Sequence, residues 1–416
     1  MQNSLKLNID NIDESLYKTY DTFNQIEEKN LIKVLKAFKK NKVSTNHFIE
    51  STGYGYDDSG RDIIDKIYAN IFHTEDALVR PHFISGTHAL TICLQALLRP
   101  GDDLLSITGM PYDTLAETIG IIEKKGSLKE YNISFNKVDL IHNNKLTTSE
   151  YYNDFDYEKI LQSINSNTKL ILIQRSKGYT NRHSFLPQEL EEVINIIKKK
   201  NKNIYIMVDN CYGEFTNIYE PSDFGADVCV GSLIKNLGGG ICKSGAYIVG
   251  KKEIIEQCSY RLTSPSLGKE VGCNFNQNIN ILQGLSFAPQ MVSNAIKGAT
   301  LISKLFEEKK YKVFPLSNEK RGDIVSIIEL KNEDNLKLFC KIIQENSFID
   351  SFVSPESWDM PGYNSKVIMA SGSFIQGSSL ELSCDAPIKE PFYVFVQGGL
   401  SYYQTKEVCK TLNEYF

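Results

Sequence analysis

Two neighbouring stretches decide how this chain is read: NIYIMVDNCYGEF, Asn203 to Phe215, and ADVCVGSLIKNLGGG, Ala226 to Gly240. Each opens on a short, β-branched apolar run of strand length and closes on polar or small residues. The first run ends at Asp209, and the second passes through Ser232 to Lys235 and three glycines. Open parallel sheets bind their ligands beyond the carboxyl ends of the strands. A carboxylate and a lysine are therefore expected at one edge of one sheet.

The same alternation extends in both directions. HFIS precedes THALTICLQALL, DDLLSIT precedes a helix beginning near Tyr112, KLILIQ precedes PQELEEVINIIKKK, and GAYIVG follows the glycines. Strands alternating with amphipathic helices imply α/β architecture with a mainly parallel, helix-covered sheet. Pro187 and Glu189 near the start of one helix, and Lys198 to Lys200 at its end, match the helix dipole, and the lysine run reads as wholly solvent-facing. Beyond about residue 268 the pattern changes to a long helical region, then IVSIIEL, DNLKLFCKIIQ, VIMA, SSLELSC and PFYVFVQ, which reads as a smaller α+β domain. Leu16, Tyr20, Phe23, Leu31, Val34, Leu35 and Phe38 recur at helical spacing. The expected division is a helical segment at 1–50, a large domain at 51–285 and a small domain at 286–416.

Composition narrows the function. A chain of 416 residues with 41% hydrophobic and 23% charged residues folds throughout and exceeds one simple core. With 46 basic against 51 acidic residues there is no footprint for nucleic acid or for an anionic membrane, so a small-molecule partner fits better. The amino terminus has no signal-like apolar region, and no run reaches the ~20 apolar residues of a spanning helix, so a cytoplasmic location is expected. Nine scattered cysteines without zinc-like pairing read as reduced, mostly buried thiols, and no metal is expected.

SGTHAL, Ser85 to Leu90, joins an apolar run to a helix. It is either an ordinary turn or, because small residues expose N–H groups at a helix start, a nest for phosphate. Asp209 is open to four roles: metal ligand, ribose ligand, helix cap, or partner of a protonated ring nitrogen. Lys243 does not complete a phosphate loop, because Cys242 stands where that motif requires glycine. One chemistry uses a phosphate nest, a strand-end carboxylate and a later lysine together: pyridoxal 5'-phosphate catalysis. There a lysine amine condenses with the cofactor aldehyde and a carboxylate keeps the ring nitrogen protonated. Partial desolvation is expected to weaken the charge of Lys235, and the glycines are expected to leave room for the cofactor and for lysine movement. Tyr112, about 25 residues past the nest, suits either a core position or stacking on the ring.

The strings FISGTHAL, RPGDDLLSITGMPYDT, IQRSKGYTNR, VDNCYGEF, EPSDFGAD, GSLIKNLGGG, YRLTSPSLGKEVG, MPGYNSKVIMASGSFIQGSSLELSCDAP and QGGLSYY resemble the methionine gamma-lyase-related family known as aluminium resistance proteins. The resemblance runs from about residue 50 to the carboxyl end. It implies the type I, aspartate aminotransferase-like fold of pyridoxal-phosphate-dependent transferases, and a carbon–sulfur lyase of Cys/Met metabolism. It also implies Lys235 as covalent anchor and base, Asp209 as the ring-nitrogen partner, and Gly86, Thr87 and Ser232 as phosphate contacts, with Ser85 and His88 of the same helix start as further cofactor-binding candidates. Tyr112 is implied as stacking ring and acid. Relatives carry a Tyr-x-Arg that reaches a neighbouring subunit's phosphate; the comparable segment here offers Tyr56 and Arg61 at a different spacing. A homodimer or homotetramer with shared sites follows as the family expectation. Ile234 replaces the threonine beside the lysine of better-known relatives. Arg175 is the expected fork for the substrate carboxylate, with Arg182 and Arg261 as alternatives. The implied reaction is elimination from a sulfur amino acid, giving a 2-oxo acid, ammonia and a thiol. Transamination, Cγ replacement, β-elimination or cofactor binding without turnover are the alternatives.

Overall fold

The computed structural model describes residues 6–142, 153–359 and 365–416. Met360 to Asn364, part of one family-like string, and the first five residues lie outside them. The large sheet has seven strands: β1 Asp76–Arg80, β2 Asp103–Ser106, β3 Ser134–Lys137, β4 Thr168–Gln174, β5 Tyr205–Asp209, β6 Val228–Ser232 and β7 Ala246–Gly250. Their spatial order is β1-β7-β6-β5-β4-β2-β3. Neighbours from β6 to β3 run parallel, and β7 is antiparallel to both β1 and β6. Leu170, Ile171, Leu172 and Ile173 are all buried, which is why β4 reads as a continuous apolar run: helices cover both faces.

Register places the chemistry. Gln174 pairs with Asp209, and Asp209 pairs with Val230, so the ends of β4, β5 and β6 form one edge with Ser232 just beyond. The second sheet comprises β8 Val313–Phe314, β9 Val325–Glu329, β10 Ser357–Trp358, β11 Val367–Ser371, β12 Ser383–Pro387 and β13 Tyr393–Gln397. Its order is β8-β9-β13-β12-β11-β10, antiparallel throughout. The run SSLELSC enters its strand later than expected. The Glu381 carboxylate accepts from the Phe374 and Ile375 N–H groups at 2.9 and 3.0 Å, pinning that stretch as a loop.

The helix Asn278–Glu308 runs unbroken through the expected division at residue 285 and touches both units. The amino-terminal helix Tyr17–Lys40 packs on it with Tyr20, Phe23 and Val34 buried, while Leu31 and Leu35 of the same periodic set remain exposed. Lys198 is not solvated like the rest of its run, since its ammonium bonds the Ile204 carbonyl and Asp227 at 2.7 and 2.5 Å. All nine cysteines are free thiols and eight are buried. Among the described residues no helix is long and apolar enough to cross a membrane.

Candidate active site

The edge formed by β4, β5 and β6 opens into a cavity of about 430 Å³. Asp209, Ser232 and Lys235 line it from the strand ends, and Ser85, Gly86 and Thr87 from the start of the helix Gly86–Leu97. Tyr112 and Thr114 line it from the helix start at Asp113–Ile119. Chain segments more than a hundred residues apart in sequence thus meet because parallel topology gathers all their strand ends at one edge.

Ser85 caps the helix Gly86–Leu97, its Oγ accepting from the His88 N–H at 3.1 Å. The helix start therefore aims its remaining N–H groups and its positive dipole end at the cavity. A Cβ on Gly86 would stand 3.2 Å from Cys211 Sγ and 3.4 Å from Ser232 Cβ, so only glycine keeps this cradle open without a shift. Thr87 Oγ1 bonds the Tyr112 hydroxyl at 2.8 Å and Thr114 Oγ1 at 3.2 Å, fixing the tyrosine beside the cradle. Gln174 Oε1 accepts from the Tyr112 N–H at 3.0 Å.

Asp209 is 5% exposed and accepts from the Cys211 N–H at 3.1 Å. Burial pushes its carboxyl above the usual range, against the pull of Lys235. Lys235 Nζ lies 3.9 Å from the centroid of the Tyr212 ring. Burial opposes the lysine's charge, but Cys211, Tyr212, Asp209 and Tyr112 more than offset it, so the ammonium is held above its ordinary range. This corrects the expectation that desolvation weakens the charge: the acidic neighbours win. Burial also raises the Tyr112 hydroxyl, helped by Asp209, so it keeps its proton.

The glycines after Lys235 have a different purpose from the one expected. A Cβ on Gly238 would overlap the Leu233 carbonyl, and one on Gly239 would lie 2.2 Å from the Gly284 carbonyl. Gly239 also has φ +57°, a left-handed value that glycine adopts freely. The run lets the lysine loop press backbone to backbone on the helix Asn278–Glu308.

Several expected site residues lie elsewhere. Arg175 does not line the cavity; it is fully buried, 3.7 Å from Glu220, and donates to the Phe185 carbonyl, Asn210 Oδ1 and Thr216 Oγ1. It is a core cation and no fork for a substrate. Arg182 donates to the carbonyls of Gln174, Arg175, Ser176 and His183, shaping the loop after β4, and Arg261 bonds the Gln95 carbonyl outside the cavity. Arg61 is 1% exposed and clamps the Gly55 and Gly272 carbonyls at 2.9 and 3.2 Å, so its guanidinium is committed within its own chain. Tyr56 is 73% exposed, stacked on Tyr54, and away from the cavity of its own chain. His88 turns its ring toward Phe83 and accepts from the Ile84 N–H at 3.3 Å, so it stands behind the cradle rather than on its wall.

Other wall residues escaped sequence reasoning. Cys211 and Tyr212 follow Asp209 directly and could have been found from that adjacency alone. Gln174 and Lys177 sit at the end of β4, where the same strand-end rule applies. Lys177 is locked to Asp323 by contacts of 2.6 and 2.8 Å. Tyr179 and Pro387 lie within family-like strings whose individual residues carry no sign of a wall position, and Lys389 lies outside any such string.

This arrangement fits pyridoxal phosphate on its donor set: an amine, a buried carboxylate and a helix-start cradle share one cavity. The family model for methionine gamma-lyase matches residues 5–415. The uncharacterized protein YnbB of Bacillus subtilis is 47% identical over 392 residues, covering 94% of this chain and 91% of YnbB. The structure of a carbon–sulfur lyase involved in aluminium resistance from Clostridium novyi aligns at 44% identity and TM-score 0.92, covering 98% of this chain and 95% of that one. A Listeria monocytogenes structure, named as a proposed cystathionine beta-lyase involved in aluminium resistance, aligns at 42% identity and TM-score 0.93 over 98% of both chains. A more distant likeness concerns the fold alone: the pyridoxal-5'-phosphate-dependent protein YhfS of Escherichia coli, at 16% identity and TM-score 0.61, covers 95% of this chain and 97% of that one. On the match across nearly its whole length, the chain belongs to the methionine gamma-lyase family.

Proposed function

We propose that the protein is a pyridoxal-phosphate-dependent carbon–sulfur lyase that eliminates a thiol from a sulfur-containing amino acid, leaving a 2-oxo acid and ammonia. The observation that carries the reading is the convergence of Lys235, Asp209 and the Gly86–Thr87 helix start on one cavity. When bound, the cofactor supplies an electron sink for the pair of electrons released at the substrate Cα. Gly86, Thr87 and Ser232 would hold its phosphate, and Asp209 would hold its ring nitrogen in the protonated form. Lys235 Nζ would anchor the cofactor and, as the free amine, would take the proton from the substrate Cα. Tyr112, its hydroxyl held protonated and oriented by Thr87, would lie against the cofactor ring and donate to the leaving sulfur. A homodimer or homotetramer with shared sites fits the exposure of the large apolar side chains Tyr54, Tyr56 and Ile84. β-Elimination is the second reading, favoured by the name of the Listeria relative.

The test is the visible spectrum of the purified protein, with and without Lys235→Ala, followed by incubation with methionine, cysteine and cystathionine. A cofactor band lost in the variant, with free thiol, ammonia and 2-oxo acid from the wild type, is expected. A band at full strength in Lys235→Ala refutes the anchor, and a stoichiometric new amino acid product refutes elimination.

A further inference from the structure

With Arg175, Arg182 and Arg261 all engaged away from the cavity, its described lining contains no arginine. It contains three lysines: Lys177, Lys235 and Lys389. Lys177 is buried and neutralised by Asp323 at 2.6 Å, and Lys235 is reserved for the cofactor. Lys389 is different. It follows β12 in the small domain, it is exposed, and among the described residues the carboxylate that senses its charge, Asp113, stands beyond ion-pair distance.

We propose that Lys389 is the cation that binds a substrate carboxylate, reaching into the cavity from the small domain. The inference rests on the function proposed above, because an amino acid whose amine is committed to the cofactor presents its carboxylate as the remaining charged group. A compact ammonium on a long stem can follow that group through the reaction, at the expense of the two-pronged geometry an arginine would impose. Asp113 lines the same cavity from the large domain; burial raises its carboxyl and the charge of Lys389 opposes this from beyond ion-pair distance, so the two mark out neighbouring positions for a substrate carboxylate and for the ammonium at the far end of a longer thioether.

The experiment is a spectral titration of the cofactor-loaded protein with three ligands. These are methionine, cystathionine, which carries an amino-acid group at both ends, and 3-(methylthio)propylamine, the methionine analogue without a carboxylate. Loss of one charge-assisted hydrogen bond weakens binding about ten- to a hundredfold. Lys389→Met is expected to weaken methionine and cystathionine by that factor and to leave the amine unchanged, with Lys389→Arg restoring most of the affinity. Weakening of cystathionine alone assigns Lys389 to the distal carboxylate; weakening of both assigns it to the carboxylate of the reacting end. Affinities of the Met variant within twofold of wild type for both amino acids overturn the proposal while leaving the lyase reading intact. A wild-type protein that takes up no cofactor overturns both.

Discussion

Glu214 allows a quantitative test of the polar layer beneath the site. Its side chain is fully buried; Oε1 accepts from the Tyr247 hydroxyl at 2.8 Å, and Oε2 has no partner. Burial, opposed by Tyr247 and Lys235 and reinforced by Glu220, pushes the carboxyl up to about 8 from an ordinary value of 4.5. In the unfolded chain the group ionises near 4.5, whereas the folded protein holds the proton to about 8. The stability contributed by the protonated form is thus complete below the lower value and is lost as pH rises through the upper one. At about 1.36 kcal/mol per unit, the three units from pH 5 to pH 8 correspond to roughly 4 kcal/mol. Glu214→Gln cannot ionise, and any cost of its altered hydrogen bonding is constant with pH. Urea unfolding at each pH unit, with cofactor saturating, should show the variant gaining on the wild type by up to about 4 kcal/mol between pH 5 and pH 8. Two stability curves that run parallel within about 1 kcal/mol would refute the reasoning, because Glu214 would then ionise equally in both states.

Two further substitutions separate structural from catalytic roles. Gly239→Ala places a Cβ against the Gly284 carbonyl at a left-handed residue and should cost about 2–4 kcal/mol, with reduced cofactor occupancy at 37 °C measured by absorbance ratio; unchanged occupancy and stability would show that the seam yields freely. Arg175→Met leaves Glu220 buried without its cation and should cost about 3–5 kcal/mol in unfolding experiments while the folded enzyme keeps its KM for sulfur amino acids; a raised KM at unchanged stability would return Arg175 to the substrate.

The residues that could be read from sequence share one property: their role is set by position at a strand or helix end. Asp209, Lys235, Ser232 and Gly86 each stand where an apolar run stops, and parallel topology carries every such stop to the same edge. Arg175 stands at such a stop too, and there the rule fails. Whether a side chain at that point turns into the cavity or the core is decided by Glu220 and Asn210, far along the chain, and an isolated arginine looks the same in either case. Lys235 shows the same limit in its electrostatics, since burial was legible but the four acidic neighbours that outweigh it were not. Lys389 was illegible for a third reason: its place on the wall depends on how the small domain docks, which no local pattern encodes.

The contact between Gly239 and Gly284 gives the loop of Lys235 a mechanical setting. Backbone against backbone leaves no flexible side chain to absorb a displacement, so the loop and the helix Asn278–Glu308 behave at that point as a bearing and its shaft. The same helix carries the amino-terminal helix Tyr17–Lys40 on one flank and the carboxyl-terminal helix Tyr402–Tyr415 on another. A tilt of the shaft, whether it begins at the chain's first helix or its last, therefore reaches the lysine amine without passing through the sheet.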